Sequence, residues 1–199
     1  MNIKKLRLGI LGSTKGTDLQ AILDVISSGE LEAEVAVVIS NRKNAYILER
    51  ADNHRIPSVF ISHKKKSREE FDKEMTTVLK YHKVNLVLLI GFMRILSNEF
   101  CLEWKDSILN VHPSLLPKYA GGMDMNVHEE VLKNGDTETG CTIHFVTEEV
   151  DRGPILVQKK CDVEKDDTVE TLKAKVQKLE GEAFVESIKL IHRAKVFGC

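Results

Sequence analysis

The chain has 199 residues, 42% of them hydrophobic and 30% charged, which is typical of one globular domain and argues against a disordered chain. Its 29 Lys and Arg against 30 Asp and Glu give a formal net charge of -1 at pH 7, so the positive charge that attracts a nucleic acid is missing overall. No apolar run approaches the roughly 20 residues of a membrane span. We therefore expect a single domain over residues 1–199, with neither a nucleic-acid nor a membrane partner.

The N-terminal residues and the cysteines indicate a cytoplasmic protein. The first apolar stretch is too short for the core of a signal peptide, and no small-residue cleavage site follows it. The four cysteines, Cys101, Cys141, Cys161 and Cys199, form no C-x-x-C pair, so neither a zinc site nor a dithiol redox motif is predicted. We expect all four to be reduced thiols.

Short apolar runs predict the strands of a parallel sheet, at residues 6–11, 35–40, 58–62, 86–90 and 107–111. Because these runs are apolar on both faces, they are typical of central strands. Segments with helical spacing lie between them, at residues 18–27, 45–53, 68–81 and 98–104. Such alternation is typical of right-handed βαβ units in a doubly wound sheet.

The alternation of strands and helices ends after residue 111. Residues 139–146 and 154–161 predict an antiparallel pair joined by a tight connection, and residues 168–192 predict a closing amphipathic helix. The predicted fold is therefore a single-domain α/β fold with a doubly wound, mostly parallel sheet, a C-terminal antiparallel hairpin and a closing helix. Ligands of open α/β sheets bind at the carboxyl ends of the strands, so we expect the site in the loops that follow strands.

The turn after the first strand, GSTKGTD at residues 12–18, suits an anion. Small residues run straight into a helix, whose first N–H groups and positive dipole end favour a phosphate. The spacing fits neither G-x-G-x-x-G nor G-x-x-x-x-G-K-S/T, so neither a dinucleotide nor a nucleoside triphosphate is indicated. The alternative is a tight turn in which Thr17 or Asp18 caps the helix.

The segment after the fifth strand, NVHPSLLP, places Asn110 and His112 on the same side of an extended chain. An amide donor and a protonated imidazole together suit a developing oxyanion. The alternative is that loop backbone satisfies both side chains.

The connection TEEVDRGP holds Asp151 beside a Gly-Pro bend. If the connection folds back toward His112, the carboxylate would favour the protonated imidazole and fix its orientation, giving a general acid and base. By the same local reasoning, Glu148 and Glu149 are simply solvated.

These motifs resemble those of the folate-dependent formyltransferases, and among them the glycinamide ribonucleotide transformylase family. The resemblance is carried by NVHPSLLP, by GCTIHFVTEEVDRGPIL and by GFMRILS at residues 91–97, and it extends from Leu8 to about Ile191. It implies the formyltransferase fold, and transfer of a formyl group from the co-substrate 10-formyltetrahydrofolate to the amine of glycinamide ribonucleotide in de novo purine biosynthesis. It implies no metal, and it leaves the oligomeric state open.

The resemblance also implies roles for individual residues. The catalytic residues would be Asn110, His112 and Asp151. Ribonucleotide binding would fall to Gly16, Thr17, Asp18 and Glu180. The folate would contact Arg68, Met93, Arg94, Ile95, Leu96, Asn110, Val146, Thr147, Glu148, Glu149 and Val150. Without the resemblance, Met93, Ile95 and Leu96 would be interpreted as core residues. His144 alternates on a strand, where a core position and a site position are equally expected.

Three other functions stay open. Related enzymes hydrolyse the same folate, or formylate the amine of a sugar nucleotide or of methionyl-tRNA. A non-catalytic folate- or nucleotide-binding module would keep the cleft but would not need Asn110, His112 and Asp151 together. The tRNA enzymes usually add a C-terminal domain and the hydrolases an N-terminal one, and we expect this chain to hold neither.

The sequence departs from the family pattern at two places. Asp18 stands where the family often has Asn, and a carboxylate beside a phosphate is unfavourable unless it faces away as a cap. Residues 118–132 exceed the usual length of this segment by about three residues. We expect residues 120–127 to be mobile without ligand and to order over the folate, with Met123 and Met125 packing on it and Asp124 in solvent.

Overall fold

The computed structural model describes residues 5–122 and 125–197 and confirms the predicted fold class. Within these residues, seven strands form one sheet in the order β3-β2-β1-β4-β5-β6-β7. The strands are β1 (Leu6–Gly12), β2 (Ala33–Ser40), β3 (Ser58–Phe60), β4 (Leu86–Ile90), β5 (Ile108–His112), β6 (Glu138–Phe145) and β7 (Ile155–Asp162). Strands β1 to β5 pair in parallel, β6 pairs antiparallel with β5, and β7 pairs antiparallel with β6.

The helices are α1 (Thr17–Ser27), α2 (Tyr46–Asn53), α3 (Arg68–Tyr81), α4 (Asn98–Glu103), α5 (Met125–Lys133) and α6 (Val169–Phe197). They cover both faces of the sheet, which explains why its central strands are apolar on both sides. One core packs α1 and α6 against the sheet through Leu19, Ile22 and Phe184, and the other packs α3 and α4 through Phe71 and Phe100. In the described part of the chain, no helix has the length and apolar character needed to cross a membrane.

The predicted elements agree with the structure to within two residues at each end, except that α6 extends to Phe197 rather than to residue 192. Two further differences concern β3 and α5. Strand β3 is an edge strand that ends at residue 60 rather than 62, because it pairs with β2 alone and its Phe60 is 42% exposed. Helix α5 was not among the predicted elements; its Val127 and Val131 pack with Leu172 of α6 in a small separate core.

The connection between β6 and β7 also differs from the prediction. The antiparallel pair itself is confirmed, but residues 146–154 are not a tight hairpin turn. The register shifts between Ile143 and His144, and the connection then folds back over the end of β5. This connection brings Asp151 to His112.

The strand order reverses between β1 and β4, and this switch point positions the site. The loops that leave the two strands are joined by hydrogen bonds: Ser13 N donates to Gly91 O at 3.0 Å, and Met93 N donates to Ser13 Oγ at 3.0 Å. Ser13 Oγ in turn donates to Asn41 Oδ1 at 2.6 Å, which adds the loop after β2. Hydrogen bonds therefore join the loops after β1, β2 and β4 at the carboxyl edge of the sheet, next to the candidate site.

Candidate active site

The predicted site residues line one cleft of about 810 Å³ at the carboxyl edge of the sheet. They are Gly16, Thr17, Asp18, Arg68, Met93, Arg94, Ile95, Leu96, Asn110, His112, Val146, Thr147, Glu148, Glu149, Val150, Asp151 and Glu180. Helix α6 adds Lys173 and Gln177, which were not predicted. Their spacing with Glu180, at positions i, i+4 and i+7, is the signal in the sequence that places all three on one helix face.

Strands β5 and β6 place the polar groups at the centre of the cleft. Asn110 and His112 are two positions apart on β5 and therefore lie on the same face of the sheet. In the antiparallel register Asn110 is opposite His144, and His112 is opposite Thr142. The sheet thus brings an amide and two imidazoles together.

Asp151 completes this group from the β6–β7 connection. Its Oδ2 lies 3.2 Å from His112 Nδ1, and its Oδ1 lies 3.5 Å from His144 Nε2. Asp151 has a φ of 54°, a left-handed conformation that Asp tolerates better than most residues. The backbone N–H of Gly121 donates to the same Oδ2 at 2.8 Å.

Both ring nitrogens of His112 face hydrogen-bond acceptors. Its Nε2 lies 2.9 Å from the carbonyl oxygen of Tyr119, and its Nδ1 lies 3.2 Å from the Asp151 carboxylate. Only a ring with a hydrogen on each nitrogen can donate to both partners at once. The surroundings of the ring therefore suit an imidazolium.

Asp151 stays ionised despite its position. Burial on its own would raise the pKa of this carboxyl, but hydrogen bonds from His112, His144 and the Gly121 amide outweigh burial and hold the pKa well below the usual range of Asp. The carboxylate is therefore available as the counter-charge of the imidazolium at any pH near neutrality.

His144 belongs to the site, a point that the sequence left undecided. Its Nδ1 lies 2.9 Å from the carbonyl oxygen of Phe145 and must donate to it. Its Nε2 lies 3.1 Å from Asn110 Nδ2 and 3.5 Å from Asp151 Oδ1. His144 therefore lies between the Asn110 amide and the Asp151 carboxylate.

The turn into α1 has the features of an anion site. Gly16 holds the N-cap position with a φ of 66°, and a Cβ there would lie 2.8 Å from Ile47 Cδ1, so only glycine fits. The alternative in which Thr17 or Asp18 caps the helix is wrong, because both lie inside the helix. Gly16 has no side chain to cap the first N–H groups of α1, and Gly16, Thr17 and Asp18 all line the cleft.

The predicted folate segment separates into exposed and buried residues. Met93 and Ile95 are 38% and 58% exposed and so are not core residues, whereas Leu96 is buried in the core beside α3 and α4. The guanidinium of Arg94 lies 5.2 Å from the ring centre of Phe71. Arg68 begins α3 directly after a capping box between Ser67 and Glu70 that fixes the start of the helix.

The segment after the SLLP motif contacts His112 through Tyr119 O and Asp151 through Gly121 N. Of the residues predicted to pack on the folate, Met123 lies outside the described residues, as does Asp124, and the side chain of Met125 is not described. Loop ordering over the folate therefore stays a prediction.

Comparisons with known proteins identify the family of this chain. The family described as formyl transferase matches residues 6–188. A phosphoribosylglycinamide formyltransferase of Haemophilus influenzae is 39% identical over 184 residues, covering 92% of this chain and 85% of the relative. The crystal structure of glycinamide ribonucleotide transformylase 1 from Symbiobacterium toebii superposes with a TM-score of 0.91 at 38% identity, covering 96% of this chain and 89% of that one.

Other relatives are much longer than this chain. The human trifunctional purine biosynthetic protein adenosine-3 is 41% identical over 189 residues, which is 94% of this chain but 18% of that protein. A formyltetrahydrofolate deformylase from Pseudomonas syringae superposes with a TM-score of 0.87 at 26% identity, covering 96% of this chain and 62% of that one. From the match over residues 6–188, the chain belongs to the formyl transferase family.

Proposed function

We propose that this protein is a phosphoribosylglycinamide formyltransferase, which transfers a formyl group from 10-formyltetrahydrofolate to the amine of glycinamide ribonucleotide in purine biosynthesis. The observation that carries the proposal is the convergence of Asn110, His112 and Asp151 in one cleft. Relatives named for this activity are 39 to 40% identical to the chain and support the choice of substrates. We propose residues 1–199 as one catalytic domain, supported by the family match over residues 6–188.

The reaction depends mainly on hydrogen-bond donors that are held in position around the formyl oxygen. The amine nitrogen attacks the formyl carbon, and the carbonyl oxygen gains negative charge as the tetrahedral intermediate forms. The Asn110 amide and the His112 imidazolium are the donors for that oxygen, and each such donor contributes roughly 3 to 4 kcal/mol to lowering a barrier of this kind. Asp151 stabilises the imidazolium throughout.

Proton transfer completes the step. The attacking nitrogen must lose a proton and the folate nitrogen must gain one before the C–N bond to the folate breaks. His112 can supply a proton only when its Nε2–H leaves the carbonyl oxygen of Tyr119, with which it is engaged in this structure. We infer that the substrate oxygen takes the place of that carbonyl.

The two ends of the cleft suit the two substrates. The ribonucleotide phosphate would meet the N–H groups of Gly16, Thr17 and Asp18 at the start of α1, with Glu180 near the glycinamide. The folate would lie between residues 93–96 and residues 146–150, with Arg68 nearby. Each of these assignments is a proposal supported by position in the cleft.

We also propose a cytoplasmic location. Cys101, Cys141 and Cys161 are free thiols, which is typical of a reducing compartment, and Cys199 lies outside the described residues.

The test separates transfer from hydrolysis, the activity named for the Pseudomonas relative. Purified protein is given 10-formyltetrahydrofolate with and without glycinamide ribonucleotide, and the loss of formyl folate is followed. We expect loss that depends on the ribonucleotide. An equal rate without the amine would assign the protein to the hydrolases instead.

A further inference from the structure

Asp18 is a buried carboxyl group in the part of the cleft that we assign to a phosphate. The residue is 7% exposed, and it lies in the first turn of α1. Its Oδ1 is buried and has no hydrogen-bond partner among the described residues. An unpartnered buried oxygen of this kind costs about 1 to 3 kcal/mol, and more when it is charged, so it is expected to serve a ligand or to carry a proton.

The close packing of α1 and α6 explains the burial. Gly181 of α6 approaches α1 so closely that a Cβ there would lie 2.7 Å from the Cβ of Ala21 and 4.0 Å from the Cα of Asp18. Water is thereby kept from one side of the Asp18 side chain. The other side faces the cleft, which Asp18 lines together with Thr17 and Gln177.

The titratable groups on the neighbouring elements are Lys15 in the turn, Arg50 on α2 and Cys141 on β6. Helix α6 adds Lys173, Lys178, Glu180, Glu182, Glu186 and Lys189, which line the two cavities that Asp18 also lines. Arg50 donates to the carbonyl oxygen of Lys15 and lies over the ring of Tyr46. Burial raises the pKa of the Cys141 thiol, and the carboxyls of Glu180 and Asp18 raise it further. The carboxyls of Asp18 and Glu180 therefore lie near the same thiol.

We propose that Asp18 carries a proton whenever the phosphate of the ribonucleotide occupies the start of α1, so that binding of this substrate takes up a proton and weakens as the pH rises. The inference rests on the proposed function, since it needs a phosphate at this end of the cleft. A phosphate dianion beside an ionised carboxylate would be repelled, whereas a protonated carboxyl can donate a hydrogen bond to a phosphate oxygen. Asp18 thus acts as a specificity-determining residue whose protonation controls affinity.

Burial favours the same protonation state before any ligand binds. It raises the pKa of Asp18 from 3.8 to about 7, so that near neutrality the group is divided between its two forms. If only the protonated form binds the phosphate, the dissociation constant of the ribonucleotide should rise by up to about 50-fold between pH 7 and pH 9.

The first experiment measures binding of glycinamide ribonucleotide by calorimetry at pH 7, 8 and 9 to wild type, Asp18→Asn and the control Asp24→Asn, which lies on the exposed face of α1. The substrate's own amine and phosphate titrate equally in all three proteins, so the ratio of dissociation constants, wild type over Asp18→Asn, isolates Asp18. We expect that ratio to rise at least about tenfold between pH 7 and pH 9, and Asp24→Asn to keep the pH dependence of wild type. A constant ratio would overturn the proposal.

The second experiment uses wild type alone and does not depend on any variant folding. At pH 8 the phosphate is already a dianion, so proton uptake by the ligand itself is small. Calorimetry in two buffers of different ionisation enthalpy should show close to one more proton taken up with the ribonucleotide than with the dephosphorylated riboside. Equal uptake would contradict the proposal.

Turnover of the ribonucleotide by wild type separates failure of this inference from failure of the proposed function. If wild type formylates the ribonucleotide but the ratio stays constant, the proton-linked role of Asp18 fails and the proposed function stands. If wild type formylates no ribonucleotide at any of these pH values, the proposed function and this inference both fail.

Discussion

Asp151 Oδ2 lies 3.2 Å from His112 Nδ1, although the two residues are on different elements and 39 positions apart in the chain. The β6–β7 connection folds back over β5 to make this contact, and Gly121 N–H holds the same oxygen at 2.8 Å. The carboxylate thus orients the imidazolium and offsets its charge. The proposed catalytic role of His112 depends on its contact with Asp151.

Replacing Asp151 with Asn should lower kcat by about 10²- to 10⁴-fold, because a neutral amide cannot stabilise the imidazolium that serves as acid and base. The exposed Asp166→Asn variant removes the same charge from the β7–α6 loop and is the matched control. Initial rates at saturating substrates are the measurement. A kcat within about threefold of wild type would show that Asp151 has no such role.

Replacing Asn110 with Ala should lower kcat by about 10²- to 10³-fold and change both KM values much less. The amide bonds strongly only to the oxygen that becomes charged in the transition state. Steady-state kinetics with each substrate varied in turn separates the two effects. A change confined to KM would make Asn110 a binding residue instead.

Removing the phosphate from the substrate should lower kcat/KM by at least about 10²-fold. Hydrogen bonds to a charged group contribute roughly 1.5 to 3 kcal/mol each, and the start of α1 offers several N–H donors. Inorganic phosphate should compete weakly with the ribonucleotide and not with the folate. Equal turnover of the riboside and the ribonucleotide would reject the phosphate assignment and favour a different amine.

Replacing Asp18 with Asn should stabilise the fold increasingly as the pH rises. The pKa of Asp18 is raised from 3.8 to about 7, so between these values the unfolded chain loses a proton that the folded protein keeps. The stability of wild type therefore falls as the pH rises from about 4 to about 7, and the variant should gain up to about 4 kcal/mol relative to wild type over this range.

Urea unfolding of wild type and Asp18→Asn at pH 4 and pH 8 measures this gain, with Asp24→Asn on the exposed face of α1 as control. Substitutions at such surface positions usually stay within about 0.5 kcal/mol. A gain that is the same at both pH values would mean that Asp18 titrates alike in the folded and unfolded chains.

Much of the fold could be predicted from local patterns. The bounds of α3 and β4 match their predicted ranges, because a capping signal or an apolar run marks each end. The edge position of β3 could not be seen, since strand order depends on pairing between distant segments. Helix α5 was missed, because it follows an unusual Gly- and Met-containing segment and buries only a few residues.

The sequence predicted which segments form the site but not the contacts between their side chains. The motifs after β1 and β5 and in the β6–β7 connection all line the cleft. This was expected, because ligands of open α/β sheets bind at the carboxyl ends of the strands. The link from His144 to Asn110 depends on the register of β5 with β6, and the burial of Asp18 depends on how α6 packs on α1. Both are long-range features that residue spacing does not encode.

The most direct test of the central claim follows the formyl carbon itself. The protein is mixed in a single turnover with 10-formyltetrahydrofolate labelled at the formyl carbon and with glycinamide ribonucleotide, and the labelled products are separated. The account predicts that nearly all of the label appears in formylglycinamide ribonucleotide and that Asp151→Asn slows its appearance. Label recovered mainly as formate, or on no acceptor amine, would contradict it.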